Sequence, residues 1–328
     1  MNDWLDAREG AAAVLVTVAA VKGSAPREPG AKMLVRAADF DGTIGGGHLE
    51  HRALDIARAM LQRGEARRFE RFPLGPSLGQ CCGGVAWLAF EQVEAEQLDA
   101  LRARRGQDIW RLVALDGAVE WTLLDDAGRH LAGAATTPAF ATERGTRVVE
   151  GEGGRRWLLD AVLAPRAHLL LFGAGHVGAA IVAALAPLPC RVTWIDERDD
   201  LFPADVPANV TVEATDTPEA LVEQADPGAS FLVMTHSHAL DLRLCHAILS
   251  RPGRDWFGLI GSHTKRSQFE VRLQERGVDA ARIDDMVCPI GLPGIEGKSP
   301  AVIAASVAAQ LLAVWEAAHH PEEQPEST

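Results

Sequence analysis

Three glycines and a carboxylate in the second half of the chain have the spacing of a phosphate-binding turn. Gly173, Gly175 and Gly178 directly follow an apolar run, and Asp196 ends the next one. The first glycine permits a tight turn, the second lets a pyrophosphate approach the backbone, and the third lets a helix pack on a strand. The N-terminus of that helix then offers free N–H groups to an anion. His176, after the second glycine, is either a ligand contact or a solvent-exposed residue at the helix start.

A glycine run in the first half of the chain could form a second phosphate site. Gly45, Gly46 and Gly47 precede residues 48–62, whose apolar side chains recur at helical spacing. Glycines that lead into a helix can form a nest of N–H donors suited to phosphate, although a tight strand-to-helix turn is the alternative. Three glycines exceed what a turn needs, because each costs chain entropy on folding. Glu50 fits a capping acid or a ligand contact equally well.

Cys81 and Cys82 are adjacent and flanked by glycines, which leaves two roles open. Zinc sites usually have two residues between paired cysteines, so this spacing does not indicate zinc. Cysteine is often a small buried hydrophobe. The flanking glycines favour accessible sulfurs instead, with N–H groups nearby that would lower a thiol pKa. No histidine can be assigned as a base for these sulfurs, so no catalytic residue is predicted.

Two histidines after a later apolar run resemble a metal-binding pair. His236 and His238 have one residue between them, and Asp241 follows. No further cluster of histidine and carboxylate comes at a ligand spacing, so we predict no metal site. Polar lining of a binding crevice is the better interpretation of His236.

The elements that position these residues follow an alternating α/β order in the second half of the chain. Parallel strands covered on both faces are apolar throughout. The strands predicted by this pattern are 169–172, 191–195, 210–214, 230–234 and 256–260. This order predicts an α/β fold with a C-terminal Rossmann-like parallel sheet and helices on both faces. Ser262 follows the last of these strands, where the basic residues Lys265 and Arg266 either suit an anion or are solvated.

The first half predicts a smaller, mixed α/β N-terminal domain. Strands alternate there with one clear helix after the glycine run, and a charged helix is predicted from Glu91 to Arg105. The boundary is placed near Ala164–Pro165–Arg166. The predicted division is 1–130 for the N-terminal domain, 131–165 for a linker region, 166–318 for the Rossmann-like domain and 319–328 for a disordered tail.

Composition limits the partners and the compartment. The chain has 328 residues and a formal net charge of −13, which argues against nucleic acid and against an anionic membrane surface. No run reaches the length of a membrane span, and the N-terminus does not resemble a signal peptide. Five cysteines, an odd number with two adjacent, argue against a disulfide framework. We therefore expect a cytoplasmic protein.

Motifs from both halves resemble the xanthine dehydrogenase accessory family (XdhC/CoxI-like). The N-terminal segments that carry the resemblance are Gly23–Arg27, Gly45–Glu50 and Leu78–Gly84. The C-terminal segments are Phe172–Gly178, Asp196–Arg198, Thr235–His238, Gly258–Ser262, Ile290–Pro293 and Lys298–Pro300. These segments extend over nearly the whole chain, and their combination is more specific than any one of them.

The resemblance implies a carrier rather than an enzyme. Such proteins bind the molybdenum cofactor while a cysteine desulfurase supplies its terminal sulfur, and then deliver it to the molybdenum subunit of xanthine dehydrogenase. A carrier needs N–H groups for the phosphate of molybdopterin and soft ligands or a dry pocket for its metal. The cofactor-binding candidates are Arg27, Gly45, Gly46, Gly47, Gln80, Cys81, Cys82, Gly173, Gly175, His176, Gly178, Asp196, His236 and Ser262.

Two other classes of function compete with this interpretation. An NAD(P)-dependent oxidoreductase would bind its nucleotide at the same glycine turn, with Asp196 on the ribose hydroxyls. A scaffold that only docks partners would leave the double cysteine and the glycine run unexplained. For the carrier we also expect a homodimer, because the final helix, 301–317, is apolar over more of its circumference than one sheet face covers.

Overall fold

The computed structural model of the chain describes residues 3–6, 12–75, 83–134, 145–253 and 255–319. The chain divides into two compact units of equal length, Met1–Ala164 and Pro165–Thr328. This division coincides with the boundary placed at Ala164–Pro165–Arg166. The N-terminal unit contains two antiparallel sheets, and the C-terminal unit contains one parallel sheet.

The first sheet of the N-terminal unit has a valine-rich strand at its centre. Its strands are β1 (Ala13–Lys22), β2 (Lys32–Val35), β3 (Phe40–Gly42), β4 (Arg67–Pro73) and β5 (Val85–Val93). They pair antiparallel in the order β3-β2-β1-β5-β4. Successive side chains of a strand point to opposite faces. Val14, Val16 and Val18 therefore pack against helix α1 (Gly47–Arg63), whereas Leu15 belongs to the cluster on the opposite face.

A second antiparallel sheet completes this unit. Helix α2 (Ala95–Arg102) leads into it, and its strands are β6 (Ile109–Ala114), β7 (Trp121–Asp125), β8 (His130–Gly133), β9 (Arg147–Glu150) and β10 (Arg156–Val162). Their order is β8-β7-β6-β10-β9. One hydrophobic cluster contains Leu15 and Leu34 of the first sheet together with Ile109 and Val162 of the second. The two sheets therefore pack face to face.

The predicted linker, 131–165, contains part of this second sheet. Strands β9 and β10 lie within it, and β10 pairs with β6 along six residue pairs from Trp157–Ala114 to Val162–Ile109. Residues 133–154 are rich in Thr, Ala, Gly and charged residues and show no clear strand pattern. Strand β9 has only four residues, and β10 pairs on its other side with β6, far away in the sequence, so the local pattern alone did not indicate them.

Four charged residues from both sheets are buried together. The Arg111 guanidinium, fully buried, lies 2.7 Å from Asp160 and 2.5 Å from Glu91. Lys32 Nζ lies 2.7 Å from the other oxygen of Asp160. Burial opposes the ionisation of Asp160, but Lys32 and Arg111 outweigh it and lower the pKa of this carboxyl. Since Glu91 stays in strand β5, the predicted helix over Glu91–Arg105 begins only at Ala95.

The C-terminal unit contains one parallel sheet, as predicted, and this sheet has six strands, one more than the five expected. They are β11 (Ala167–Phe172), β12 (Cys190–Asp196), β13 (Val210–Ala214), β14 (Ser230–Val233), β15 (Phe257–Leu259) and β16 (Met286–Val287). The order across the sheet is β13-β12-β11-β14-β15-β16. The direction of the order reverses between β11 and β14. Open α/β sheets bind ligands at the carboxyl ends of the strands beside such a reversal.

Helices cover both faces of this sheet. They are α3 (His176–Leu185), α4 (Pro218–Gln224), α5 (His238–Leu249), α6 (His263–Glu275), α7 (Ala280–Asp284) and α8 (Pro300–His319). Helices α3 and α8 share one hydrophobic cluster, whereas α4, α5 and α6 belong to another. Helix α6 begins at His263, because the side chain of Ser262 accepts a hydrogen bond from the N–H of Lys265 and caps it.

Helix α8 corrects the expectation that no segment is long and apolar enough to span a membrane. Residues 300–318 have a mean hydropathy of 1.7 and pass that test by length and composition. One face of the helix nevertheless packs against the sheet, where Val307, Leu311 and Trp315 are buried. The indole N–H of Trp315 donates to Ser230 Oγ in β14 at 3.0 Å. Outer helices of a parallel sheet need such an apolar face.

Candidate functional site

The three-glycine loop before α1 has a backbone that favours glycine. Gly45, Gly46 and Gly47 have φ angles of 116°, 71° and 65°. A Cβ on Gly45 would lie 2.4 Å from the Cβ of Pro26 and 3.2 Å from the Cγ of Arg27. The glycine loop therefore rests against the Pro26–Arg27 segment, and two of the sequence motifs lie side by side.

The N–H groups at the start of this loop are bound by the chain itself. The carboxylate of Glu50 accepts hydrogen bonds from the N–H of Ile44 and of Gly46, each at 3.1 Å. The hydroxyl of Thr43 donates to the same carboxylate at 2.5 Å and accepts from the N–H of Gly45 at 3.0 Å. Glu50 is thus a capping acid. A negative charge occupies the position where the glycine nest was expected to hold a phosphate, and like charges repel.

Arg27 brings a positive charge to the edge of the same loop. Its Nη2 lies 2.8 Å from Oε1 of Glu28, and the hydrogen bond from Arg27 lowers the pKa of the Glu28 carboxyl. The side chain of Arg27 is 30% exposed. An anion that approaches the loop from solvent would therefore meet this guanidinium at its edge.

The third N-terminal motif joins the first at the base of the cysteine segment. Gln80, Cys81 and Cys82 lie outside the described residues, but the chain on both sides of them is described. The N–H of Leu74 donates to the carbonyl of Gly84 at 2.8 Å, which holds the two ends together. A Cβ on Gly84 would lie 2.2 Å from the carbonyl oxygen of Ser24, and this contact fixes the ends against the Gly23–Arg27 motif.

The glycine turn of the C-terminal unit has the geometry that its sequence predicts. Gly173 has a φ of 128°, and a Cβ there would lie 2.4 Å from the carbonyl oxygen of Met234. A Cβ on Gly178 would lie 2.1 Å from the carbonyl oxygen of Gly173, so α3 can approach the strand only without a side chain. The Cβ position of Gly175 has no heavy atom within 4 Å. Gly175 therefore leaves the backbone open to a ligand.

Asp196 forms hydrogen bonds both to the glycine turn and to the residues that follow its own strand. One carboxylate oxygen accepts from the N–H of Ala174 at 2.7 Å, and Arg198 donates to both oxygens at 2.9 and 3.0 Å. Burial raises the pKa of Asp196, but the hydrogen bonds from Arg198 and Ala174 outweigh it and hold the pKa below its ordinary value. The side chain is 3% exposed. The carboxylate that would bind the ribose hydroxyls in a dinucleotide enzyme is therefore already hydrogen-bonded within this chain.

Lys265 and Arg266, which follow β15 and could have bound an anion, form ion pairs within the C-terminal unit. Lys265 Nζ lies 2.7 Å from the fully buried carboxylate of Asp241. The other oxygen of Asp241 accepts from the hydroxyl of Thr235 at 2.7 Å. Arg266 pairs with Glu270 at 2.7 Å. These bonds position the loops after β14 and β15.

Metal-binding clusters are absent from the described residues. No three His, Cys, Asp or Glu side chains gather there in an arrangement that could hold an ion. Asp241, the carboxylate that follows the two histidines, is held by Lys265. The ring of His238 packs edge-on against Phe269, with 6.4 Å between the ring centroids.

His236 lies on a narrow cleft at the carboxyl end of the sheet, as its position after β14 predicted. Its Nε2 lies 3.3 Å from Oε1 of Glu197, the residue after Asp196, and both side chains are about half exposed. The floor of the cleft is apolar and includes Ile195 and Leu240. Glu197 and Arg198 were not predicted as site residues. The signal for them was available, since both belong to the Asp196–Arg198 motif at a strand end.

The remaining candidates of this unit lie at helix starts. His176 is exposed and is the first residue of α3, directly after Gly175. Ser262 caps α6, with 3.3 Å between its Oγ and the N–H of Lys265. Helix N-termini carry partial positive charge, so both residues lie at positions that favour an anion. For His176 the two alternatives, ligand contact and exposed helix start, both remain compatible with this geometry.

The three described cysteines are buried and unreactive. Cys190, Cys245 and Cys288 are all free and inaccessible. Burial raises the pKa of Cys190 to about 11 and raises the pKa of the other two as well. The thiolate is the form that binds metals and acts as a nucleophile. Reactive sulfur in this chain is therefore expected only from Cys81 and Cys82.

Comparisons with known proteins agree with both halves of this description. The family model for the XdhC Rossmann domain matches residues 169–311, and the model for the XdhC and CoxI family matches residues 6–73. A crystal structure from Bacillus halodurans, described as that of a xanthine dehydrogenase, superposes with a TM-score of 0.72. It is 23% identical, and the match covers 97% of this chain and 94% of that one. At this identity it supports the fold alone.

A curated relative gives a shorter match. It is the uncharacterized protein YqeB of Escherichia coli (strain K12), which is 31% identical over 163 residues. That match covers 49% of this chain and 30% of YqeB, so the chain spans less than a third of its relative. Because models of the same family match both units, the chain belongs to the XdhC family.

Proposed function

We propose that this protein is a molybdenum cofactor carrier that acts in the maturation of xanthine dehydrogenase. It holds the cofactor while a cysteine desulfurase supplies the terminal sulfur, and then delivers it to the molybdenum subunit of apo xanthine dehydrogenase. It has no turnover of its own and works as a cytoplasmic homodimer. Membership of the XdhC family, in which both units match, is the basis of this proposal.

The observation that carries the proposal is the convergence of the three N-terminal motifs. Gly45 rests on Pro26, and Gly84 rests on Ser24, so the loops meet around the base of the segment with the double cysteine. Such an arrangement holds the two described ends of that segment, at Leu74 and Gly84, against the motif that contains Arg27. A carrier requires soft donors for the metal and a cation for the phosphate of its cargo.

The C-terminal unit supports the proposal with a second region for the cargo. Molybdopterin has a phosphate, a flat hydrogen-bonding pterin and a dithiolene that binds the metal. The open backbone at Gly175 and the start of α3 suit the phosphate. His236 and Glu197 add polar side chains at the neighbouring strand ends. Since a carrier must release its cargo, we expect moderate affinity, with a Kd of about 1 µM.

Purification from a host that makes the molybdenum cofactor tests the proposal directly. Bound pterin is measured by fluorescence after oxidation, and bound molybdenum by elemental analysis. We expect one pterin and one molybdenum per chain. A protein that leaves such a host with neither, and that cannot be reconstituted with isolated cofactor, is not a carrier.

A second candidate function, that of an NAD(P)-dependent oxidoreductase, is favoured by the geometry of the glycine turn. Gly173, Gly175 and Gly178 have the geometry that dinucleotide-binding folds use. The engagement of Asp196 by Ala174 and Arg198 counts against it, because the acid is not free for a ribose. Titration of nicotinamide fluorescence separates the two candidates: saturable binding of NADH or NADPH without pterin would favour the oxidoreductase.

A further inference from the structure

One peptide plane of the glycine turn is held from both edges by strand β12. The carbonyl oxygen of Gly173 accepts from the indole N–H of Trp194 at 3.0 Å, and the N–H of Ala174 donates to Asp196 at 2.7 Å. These two polar groups belong to the same planar peptide unit and point in opposite directions. Trp194 and Asp196 are two residues apart in β12, so their side chains lie on the same face of the strand. Two side chains of one strand therefore clamp a single peptide plane.

The clamp fixes a plane that glycine would otherwise leave free to rotate. Gly173 has a φ of 128° and no Cβ, so no side chain restricts the peptide unit that follows it. In a flipped plane the Gly173 carbonyl would face the carboxylate of Asp196, and the N–H of Ala174 would face the indole N–H of Trp194. Both polar groups are buried, and a buried group without a partner is costly. The two side chains thus select the observed orientation.

The clamped plane leads directly into the open part of the turn. Gly175 is the next residue, its Cβ position has no heavy atom within 4 Å, and α3 begins at His176 without a side-chain cap. The first N–H groups of a helix have no partner within it. The orientation of the plane before Gly175 sets the course of the chain into α3, and thereby the direction of these N–H groups.

We propose that Trp194 is a positioning residue for the phosphate of the cargo. Its indole N–H holds the Gly173–Ala174 plane in the orientation that directs the N–H groups at the start of α3 toward the bound phosphate. This inference rests on the proposed function and assigns Trp194 no contact with the ligand. The side chain is buried, and its Nε1 lies 3.4 Å from the Cβ position of Gly178 in α3. An indole donates a hydrogen bond without a charge, so the same N–H is available at every pH.

Trp194 also fills the core, and its hydrogen bond has to be separated from this packing role. The ring belongs to the hydrophobic cluster shared by α3 and α8, and it meets Phe202 edge-on with 5.2 Å between the ring centroids. Trp315 of α8 belongs to the same cluster and donates its own indole N–H to Ser230 Oγ at 3.0 Å, outside the glycine turn. Trp315→Phe is therefore the matched control for Trp194→Phe, because each change removes an indole donor from the same core.

Trp194→His is the converse variant. The Nε2 of histidine stands as far along its ring from Cβ as the indole Nε1, so histidine keeps a donor for Gly173 but leaves a cavity. The probe is the oxidised, fluorescent pterin phosphate derived from molybdopterin, titrated by its own fluorescence at about pH 8, where imidazole is neutral. Inorganic pyrophosphate, titrated by calorimetry, measures anion binding without the ring, and melting temperatures report folding.

We expect Trp194→Phe to lose affinity for both probes by at least ~5-fold, and Trp315→Phe to stay within about two-fold of the wild type. Trp194→His should be the least stable of the three variants and yet bind more tightly than Trp194→Phe. If Trp194→Phe does not fold, retained affinity in Trp194→His supports the inference, and a loss of at least ~5-fold overturns it.

Three results overturn the inference and leave the carrier function standing. They are wild-type affinity in a folded Trp194→Phe variant, an equal loss in Trp194→Phe and Trp315→Phe, and a Trp194→His variant that binds no more tightly than Trp194→Phe. Pyrophosphate binding that depends on Trp194, without any pterin binding, overturns the carrier function instead and leaves Trp194 as a positioning residue for another phosphate ligand. A wild-type protein that binds neither probe overturns both.

Discussion

The carboxylate of Asp196, at the end of β12, accepts a hydrogen bond of 2.7 Å from the backbone N–H of Ala174, in the middle of the glycine turn. Two motifs separated by 22 residues are thereby joined into one unit. Arg198 donates to both oxygens of the same carboxylate. The acid that a dinucleotide enzyme would use for its ligand here holds the turn in place, and this arrangement leads to two predictions.

Asp196→Asn should lower the free energy of unfolding by about 1–3 kcal/mol at pH 7, because buried donors lose a charged acceptor. The folded-state pKa of Asp196 is depressed, so its contribution is present above the unfolded pKa of about 4 and is lost as pH falls through the folded pKa. Urea unfolding at pH 7 and at pH 3 measures both values. The difference between wild type and variant should shrink at the lower pH.

The control for this prediction is Asp226→Asn, which removes an exposed pair with Arg191 at 3.7 Å. Exposed pairs contribute about 0–1 kcal/mol, so its effect should be small at either pH. If Asp196→Asn differed from wild type by the same amount at pH 3 and pH 7, the charge of Asp196 would have no part in stabilising the turn.

Gly175→Ala and Gly178→Ala form a matched pair in one turn. The new methyl group at Gly178 would lie 2.1 Å from the Gly173 carbonyl oxygen, so we expect a loss of about 1–3 kcal/mol or a failure to fold. At Gly175 the space is open and φ is −73°, so alanine should change stability by less than ~0.5 kcal/mol. Thermal unfolding compares the two variants.

Cofactor retention is the second property to measure for Gly175→Ala. If a phosphate approaches the backbone there, the methyl group blocks it, and retention of the cofactor should fall although the protein is folded. Full retention by the folded Gly175→Ala variant would show that the cargo phosphate binds elsewhere.

The sequence predicts the C-terminal unit well because its signals are local. Apolar runs mark the strands, and three glycines with a distal acid mark the turn, so both fold and ligand edge follow from short segments. The second sheet of the N-terminal unit depends on distant pairs such as Trp157–Ala114, which no local period encodes. Glu91 illustrates the same limit. A buried glutamate in a strand requires Arg111 from the other sheet, and from sequence it resembles the first residue of a charged helix.

The candidate site was predictable as a set of loops but not in its hydrogen bonding. Glycine runs indicate where the backbone is open, and three of the motifs do meet at Gly45 and Gly84. Which N–H groups remain free depends on nearby side chains. Glu50 occupies the first nest, and Lys265 is drawn into an ion pair with Asp241. Such competition between internal and external partners is decided by geometry that residue types do not specify.

Helix α8 leads to a prediction about assembly. Its solvent face contains Val302 and a line of alanines four residues apart, Ala305, Ala309 and Ala313. Small side chains let two helices approach closely, and closed two-fold pairs are the commonest assemblies. We expect a homodimer by light scattering at micromolar concentration, and a monomer for Ala309→Arg. The control, Gln274→Arg on the exposed face of α6, should remain dimeric. A wild-type protein of monomer mass would exclude this interface.

The last prediction concerns Cys81 and Cys82. Soft thiolates suit a soft or borderline metal centre, and flanking glycines leave the sulfurs room and N–H neighbours. We therefore expect Cys81→Ala or Cys82→Ala to weaken cofactor retention and leave the melting temperature unchanged. Of the two, Cys81 should have the larger effect, because Cys82 is nearer in sequence to strand β5. The measurement is pterin and molybdenum content after purification, together with thermal unfolding.

Cys190→Ala is the matched control, because Cys190 is buried in the core of the C-terminal unit. Removing a buried sulfur leaves a small cavity and should cost about 1 kcal/mol, with retention unchanged. If Cys81→Ala and Cys82→Ala behaved in the same way as this control, with a lower melting temperature and full retention, both sulfurs would be core residues. The cargo metal would then have to be held without cysteine, and the N-terminal motifs would serve the phosphate or the pterin instead.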